Sequence, residues 1–280
     1  MVVHTPEYRI HTYTAAEAGL LVNSYLVEAA DGVVLVDANL LQSDVHALAA
    51  RLAALRKPLL GVFVTHAHPD HFNGLPVLAD DEVPVYAAAD VADTIARIAE
   101  AKREQWQPVY GAEWPDKHRV PDRRLSDGEV VELGGLRFAL HAIGAAESHA
   151  DSYITLGDVA FIGDLAFHGI HPYTADGHTG RWLVALDTLI DELAGVTLLP
   201  GHGTPGDVRM LADQRRYLMM YRETVLRLAA AASSLTAPQR EGLTAVMTRF
   251  LPDAPLSWMI GLGADAVAAE LAATAAAVPA

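Results

Sequence analysis

Three histidines and one aspartate lie within six consecutive positions of this 280-residue chain, at His66, His68, Asp70 and His71. Imidazole nitrogens and carboxylate oxygens are the usual protein ligands of Zn²⁺, at about 2.0–2.2 Å. In an extended segment, residues two apart point the same way, so His66 and His68 can reach one metal ion. Pro69 then bends the chain, and Asp70 and His71 can turn toward a second ion.

The chain contains no cysteine. Disulfides, cysteine nucleophiles and thiolate metal sites are therefore excluded. Any metal ion must be held by histidines and carboxylates, which suits Zn, Fe or Mn better than Cu(I).

The elements that must position this cluster can be predicted from local patterns. An apolar run of strand length, LLGVFV at 59–64, leads directly into the histidines. Other strand patterns occur at 21–28, 33–37, 83–86, 129–133, 136–142, 152–156, 159–162 and 196–199. Helical patterns occur at 44–56, 91–104, 181–193, 207–232, 238–250 and 264–277. Strands followed by helices in both halves predict an α/β fold with a two-sheet core covered by helices and a helical C-terminal extension.

Three later residues of ligand type stand at a predicted strand end or beside glycines that permit tight turns. His149 lies in GAAESHADS (144–152), Asp164 follows the apolar run FIG (161–163), and His202 lies in LPGHG (199–203). With THAHPDH at 65–71, these motifs resemble the metallo-β-lactamase superfamily and its HxHxDH signature. The resemblance in order and spacing covers about residues 20–205.

This resemblance implies a four-layer αββα sandwich with the site at one edge, as a single domain over 1–280. The core would span about 20–205, and the C-terminal helices about 207–280. It implies two divalent metal ions, with Zn expected first and Fe or Mn as alternatives. The implied ligands are His66, His68 and His149 for the first ion and Asp70, His71 and His202 for the second, with Asp164 between them. Asp70 and Asp164 would also be the catalytic residues, and Asp37 would support the ligands from behind.

The activity implied by the resemblance is that of a metal-dependent hydrolase. Two cations lower the pKa of a bound water, so a metal-bound hydroxide exists near neutral pH and can attack an ester, thioester, lactone or related carbonyl. A bridging aspartate such as Asp164 is similar to that of glyoxalase II-like thioesterases and lactone hydrolases. Penicillin-degrading members typically lack it.

Two departures limit the prediction of the substrate. Lactonases of the family have a tyrosine where this chain has Phe167. Glyoxalase II-like enzymes tolerate phenylalanine there, but the basic residues with which they bind thiol esters are not found in the C-terminal helices. Candidates for substrate contact are His168, His171, Tyr173 and His178. The tyrosine hydroxyl that could protonate the leaving group is absent, while every metal ligand is kept. We therefore expect a leaving group that needs no positioned general acid.

Three other functions remain as alternatives. A mononuclear Fe dioxygenase of the persulfide dioxygenase type would leave some of the seven ligands unused. A non-catalytic metal-binding protein of the same fold would be favoured by the loss of a ligand, and none is lost. A nuclease is disfavoured by the formal net charge of -15, because binding to phosphate backbones depends on Lys and Arg.

The segment from Trp106 to Asp122 interrupts the periodic pattern with aromatic residues, prolines and charges. We predict a long loop that caps the site, and the alternative is a surface loop whose aromatic side chains pack in the core. No apolar run approaches the roughly 18 residues of a membrane span, and we identify no signal peptide. We therefore expect a cytoplasmic protein that acts on a small-molecule substrate, with no nucleic-acid or membrane partner and an oligomeric state left open.

Overall fold

Two β-sheets face each other in the computed structural model, which describes residues 2–4 and 7–276. The first sheet has seven strands in the order of the chain: β1 Val2–His4, β2 Arg9–Thr14, β3 Asn23–Glu28, β4 Val33–Val36, β5 Leu59–Phe63, β6 Val85–Ala88 and β7 Arg123–Leu125. The second has five strands in the order β12-β11-β10-β9-β8: β8 Val130–Leu133, β9 Leu136–Gly144, β10 Asp151–Leu156, β11 Val159–His168 and β12 Thr197–Gly203.

Helices cover the outer faces of both sheets, and others form the C-terminal extension. They are α1 Gln42–Ala54, α2 Pro69–Phe72, α3 Leu75–Leu78, α4 Ala89–Tyr110, α5 Thr179–Glu192, α6 Arg209–Ala229, α7 Ala237–Phe250, α8 Trp258–Leu262 and α9 Ala264–Ala276, with short 3₁₀ turns at Glu17–Gly19 and Gly111–Glu113. Val45 of α1 and Val91 of α4 pack in the core of the first sheet. Trp182 of α5 and Leu211 of α6 pack in that of the second. The predicted αββα arrangement is confirmed.

The main core lies between the sheets. Tyr25 of β3 packs against Phe161 of β11 with ring centroids 5.4 Å apart, and Phe63 of β5 packs against Phe138 of β9 at 5.3 Å. The four residues of β4 are all fully buried, as expected for a strand within a parallel region that is covered on both faces. These contacts hold the carboxyl ends of β4, β5, β11 and β12 in fixed relative positions.

Several elements differ from the sequence prediction, among them β1, β2, β11 and α4. β1 and β2 extend the first sheet, although the mixed segment RIHTYT of β2 carries only a weak alternating pattern. β11 continues to His168 rather than stopping before Asp164. α4 continues to Tyr110 with Pro108 inside its last turn. Pro108 has no N–H to donate to the carbonyl of Glu104, so the helix loses one hydrogen bond there and ends two residues later.

The C-terminal helices form their own core against α6. Tyr221 and Val225 of α6 pack with Leu243, Met247 and other residues of α7, α8 and α9. The expected helical extension is therefore present, and Ala277 at its predicted end lies outside the described residues. Within the described part of the chain, no helix combines the length and the apolar character that crossing a membrane requires.

The extension is also tied to the start of α5. The carboxylate of Glu270 in α9 accepts hydrogen bonds from the backbone N–H groups of Thr179 (3.1 Å) and Gly180 (2.6 Å). An acidic group is stabilised at a helix N-terminus by the helix dipole. Arg222 of α6 pairs with the same carboxylate at 2.9 Å. The segment 169–178, which precedes α5, is thereby held between the extension and the sheet edge.

Candidate metal centre

The HxHxDH motif lies where β5 ends and α2 begins. Pro69 is at the start of α2, where a proline is favoured because its missing N–H would have had no helical partner. His66 and His68 precede this turn in extended backbone, and Asp70 and His71 belong to the helix. All four ligand-type side chains are buried. The turn thus divides them between two positions.

The first group of ligand-type atoms comprises side chains of His66, His68, Glu147 and Asp164, with one atom of each within 4.8 Å of the others. Nε2 of His66 lies 3.1 Å from Nδ1 of His68 and 3.8 Å from Oδ2 of Asp164. Oε2 of Glu147 lies 3.1 Å from Nδ1 of His68. Two imidazoles and two carboxylates converge on one point, which is a suitable donor set for a divalent cation.

The second group comprises Asp70, His71 and His202. Nε2 of His202 lies 3.1 Å from Oδ2 of Asp70, and Nε2 of His71 lies 3.6 Å from the same oxygen. Asp164 borders this group too, because its Oδ1 is 3.3 Å from His71 and its Oδ2 is 3.3 Å from His202. Asp164 therefore lies between the two groups.

His149 is not brought into either group. Its side chain is 46% exposed, and its Nδ1 is hydrogen-bonded to Nε2 of His178 at 2.6 Å. Glu147, two residues earlier in the chain, occupies the position that the resemblance assigned to His149. Among the expected ligands, the structure brings together the other six, and the glutamate was missed. Its one signal was a carboxylate two positions before the histidine, in GAAESH.

The loop before β10 turns Glu147 inward. Oδ2 of Asp151 accepts hydrogen bonds from the backbone N–H groups of Ala146 (3.1 Å) and Ser148 (2.9 Å), the residues on either side of Glu147. Ser152 donates its backbone N–H to the carbonyl of Thr65 at 2.9 Å. These bonds hold the loop against the His66 segment and direct the Glu147 side chain toward it.

Each clustered histidine has a partner on the ring nitrogen that faces away from the cluster. Nδ1 of His71 donates to Asp37 at 2.8 Å, and Nδ1 of His202 donates to the carbonyl of Leu20 at 2.8 Å. Nδ1 of His66 lies 3.0 Å from the Thr65 hydroxyl, which itself donates to Asp37. Nε2 of His68 lies 3.2 Å from Oδ2 of Asp176. Such outer partners fix the tautomer and orientation of metal-binding histidines. Asp37 has the supporting position that was expected, and Asp176 was not anticipated.

Two further observations indicate that the clustered side chains could hold a pair of cations. Both carboxylate oxygens of Glu147, Oδ1 of Asp164 and Nε2 of His71 are buried and have no hydrogen-bond partner, and buried polar atoms are rarely left unpaired. Gly201 leaves room beside them, because a Cβ there would meet Oδ1 of Asp164 at 2.0 Å. Both the unpaired ligand atoms and the space beside them suit a bound cation.

Burial and mutual charge shift the protonation of the cluster. Burial raises the pKa of Glu147 to about 8, although the neighbouring His68 opposes this. Burial by itself would lower the pKa of His202, but Asp164 and Asp70 raise it to about 10. The buried carboxylates thus raise the pKa of a clustered histidine by their charge. A divalent cation bound among them would supply positive charge in place of such protons.

Of the four candidates for substrate contact, only Tyr173 borders the cleft above the cluster. His171 is fully buried and hydrogen-bonded to Tyr217. His168 is hydrogen-bonded to the carbonyl of Thr204, and His178 to His149.

Phe167, at the position of the lactonase tyrosine, stacks on the ring of His202 with centroids 4.9 Å apart. It has no hydroxyl group, but it covers one face of a clustered histidine.

The segment predicted as a capping loop is partly helical. Trp106 and Tyr110 lie in the last turns of α4, and Trp114 follows the 3₁₀ turn. Trp114 is 3% exposed and packs with Leu40 and Leu41. The same three aromatic side chains border the cleft, so this segment both packs inward and shapes the entrance.

The sequence profile of the Metallo-beta-lactamase superfamily (Lactamase_B) matches residues 18–202, well over half of the chain. The chain belongs to this superfamily. The matched range contains all of the clustered side chains. The search of curated proteins found no matching relative.

Solved structures of the superfamily share the fold. A beta-lactamase domain protein from Burkholderia ambifaria superposes with a TM-score of 0.72 at 17% identity, over 98% of this chain and 89% of its own. A metallo-beta-lactamase from Pontibacter korlensis gives 0.61 at 21% identity, over 78% of this chain and 98% of its own. The DIM-1 metallo-beta-lactamase exposed to ceftazidime gives 0.61 at 18% identity, over 78% of this chain and 96% of its own. At these identities the likeness extends to the fold alone.

Proposed function

We propose that this superfamily member is a hydrolase with two divalent metal ions, and that it cleaves an ester, thioester, lactone or related carbonyl substrate. The observation that carries the proposal is the position of Asp164, within 3.8 Å of His66 on one side and within 3.3 Å of His71 and His202 on the other. A carboxylate between two groups of ligand atoms suits a pair of ions that share it. Zinc is the metal we expect first, with iron or manganese as alternatives.

Each position offers the same donor set. His66, His68 and Glu147 would hold one ion, Asp70, His71 and His202 the other, and Asp164 both. Two imidazoles and one carboxylate at each position make the two sites nearly equivalent in charge. We therefore expect similar affinities for the two ions, rather than one tight and one weak site.

Divalent cations bound there would lower the pKa of a coordinated water and polarise a substrate carbonyl. The residues of the chain orient the histidines and exclude water. Asp37, Thr65, Asp176 and the Leu20 carbonyl hold the outer nitrogens of the histidines, so the inner nitrogens stay aimed at the cluster. Phe167 and Pro69 border the cleft beside Asp70 and exclude water from part of it. Polar groups held in place in this way, such as the clustered histidines, stabilise charge that develops during the reaction.

The partner we propose is a small-molecule substrate, because the cluster lies at the bottom of a cleft rather than on an open surface. The net charge of -15 supports a substrate other than nucleic acid.

An iron-dependent oxygenase is the second candidate, and one observation favours it. His66, His68 and Glu147 form a set of two histidines and one carboxylate, the type that binds non-haem Fe(II) in oxygenases. The second group has the same composition, and an oxygenase that uses a single ion would not need it.

Metal analysis combined with a substrate screen tests the proposal. The protein purified without chelator should contain about two equivalents of Zn, Fe or Mn per chain. It should hydrolyse at least one class among aryl esters, thioesters, lactones and β-lactams, but not phosphodiesters, without consuming oxygen. Chelation should abolish the activity and lower the melting temperature, and added metal should restore both. Full activity with a single ion, or turnover that requires oxygen, would contradict the dinuclear hydrolase.

A further inference from the structure

A cleft with two apolar walls opens above the metal centre. Its floor includes His68, Asp70, Asp164 and His202. One wall comes from α4 and the turn after it, and the other from α8 in the C-terminal extension. The wall side chains are Trp106, Tyr110, Trp114, Trp258, Met259 and Leu262. Four of the six are aromatic, and α4 with its turn places three of these four opposite a helix roughly 150 residues later in the chain.

The wall on α4 is anchored from behind. The ring of Tyr110 lies 6.2 Å from Trp106 and 6.0 Å from Trp114. Trp114 is 3% exposed and packs with Leu40 and Leu41. Aromatic rings held in this way form a fixed apolar surface.

The wall on α8 is exposed. Trp258 and Leu262 are four residues apart and therefore lie on one face of the helix, and they are 51% and 42% exposed. Met259 and Ile260 of the same helix are buried. The buried face attaches α8 to the fold and leaves a tryptophan and a leucine at the mouth of the cleft. Exposed apolar surface beside polar groups is typical of ligand sites.

Basic side chains are scarce along the cleft. Lys102 of α4 is the one Lys or Arg among the described residues that border it. The six wall side chains themselves are all uncharged. Apart from Lys102, neither wall therefore offers a partner to a charged group of the substrate.

We infer that the cleft binds an uncharged aliphatic group of the substrate between the α4 and α8 walls, while the bond to be cleaved lies over Asp70 and Asp164. The inference rests on the proposed hydrolase function for the position of that bond. It makes Trp106, Tyr110, Trp258 and Leu262 the residues that select the substrate, and it assigns a role in recognition to the C-terminal extension.

The test is a series of thioesters or aryl esters whose acyl group lengthens from acetyl to decanoyl. Burying each added methylene should raise kcat/KM about fourfold until the cleft is filled. Trp258→Ala should flatten this dependence and raise KM for decanoyl esters, with little effect on acetyl esters. A terminal carboxylate on the acyl chain should cancel the rise in kcat/KM with chain length. Leu226→Ala is the matched control, since Leu226 is 53% exposed and lies on α6 away from the cleft.

Binding without turnover separates this inference from the proposed reaction. Calorimetry with uncharged primary amides from acetamide to decanamide should show affinity that rises with chain length and falls in Trp258→Ala. Leu262→Ser should behave like Trp258→Ala, with thermal melting to confirm folding. If no ester is hydrolysed but this binding is seen, the reaction is wrong and the apolar cleft stands. If esters are hydrolysed with no chain-length dependence, or Trp258→Ala and Leu226→Ala behave alike, the cleft assignment is wrong.

Discussion

Oε2 of Glu147 lies 3.1 Å from Nδ1 of His68, while His149, two residues further along the chain, faces solvent and contacts His178. The loop before β10 thus offers the cluster a carboxylate in place of an imidazole. An oxygen donor at this position gives both halves of the centre two histidines and one carboxylate.

Glu147→Gln should remove about one of the two metal equivalents and most of the activity, because Zn²⁺ takes carboxylate, imidazole and thiolate ligands rather than a neutral amide. His149→Ala should keep both ions. Elemental analysis of the two variants side by side makes the comparison. Loss of metal from His149→Ala with full retention in Glu147→Gln would restore the assignment made from the sequence.

Asp164→Asn should weaken both ions, since the carboxylate contacts histidines of both groups. Turnover should fall roughly 100-fold, comparable to the removal of one charge-stabilising group from an active site. Metal content and turnover are measured on the same preparation. Wild-type values for both would contradict a bridging role.

Asp176→Asn should lower metal affinity at the first position about 10–100-fold, as is typical when an outer partner of a metal-binding histidine is lost. Its carboxylate lies 3.2 Å from Nε2 of His68. Competition with a chromophoric chelator and the visible spectrum of the Co²⁺ form provide readouts that do not depend on turnover. Asp187→Asn, at an exposed carboxylate paired with Arg215, is the control and should match the wild type in both.

Tyr173→Phe should reduce turnover by less than about tenfold on good and poor leaving groups alike, because a positioned general acid would contribute about 10²–10⁴-fold. Burial, with the nearby Asp176, raises the pKa of Tyr173 well above its usual value, so the phenol is a weak acid. Rates for esters that span leaving-group pKa are compared in both proteins. A large loss confined to poor leaving groups would identify Tyr173 as the proton donor.

Trp114→Ala should destabilise the fold by about 3–5 kcal/mol, the usual cost of truncating a buried tryptophan. Trp114 is 3% exposed, so its removal leaves a cavity beside Leu40 and Leu41. Chemical denaturation measures the change, and Trp258→Ala at an exposed tryptophan should cost far less. Equal stability of the two variants would show that Trp114 acts only as part of the cleft.

Some features could be predicted from the sequence because they depend on neighbours in the chain. His66, His68, Asp70 and His71 are adjacent to one another, and the proline that divides them is local, so their two-sided arrangement followed from backbone geometry. The buried strands β4 and β5 and the helices of the extension have strong periodic patterns. Their existence was predictable, with ends shifted by a few residues.

Other features were decided by contacts between distant parts of the chain. Glu147 and His149 are both ligand types, and the hydrogen bonds that Asp151 accepts from the loop N–H groups determine which one turns inward. Trp106 and Tyr110 were assigned to a loop, because proline and aromatic residues obscured a helix whose last turns are held by packing.

The donor types of the cluster from His66 to His71 could therefore be predicted from the sequence, because their local spacing does not depend on distant contacts. The tertiary structure decided which side chain of the loop before β10 joins the cluster, and it decided the shape of the cleft. The α4 and α8 walls come from segments roughly 150 residues apart, and no local pattern relates them. Their meeting depends on the docking of the C-terminal helices onto α6, through the apolar core that α6 to α9 share.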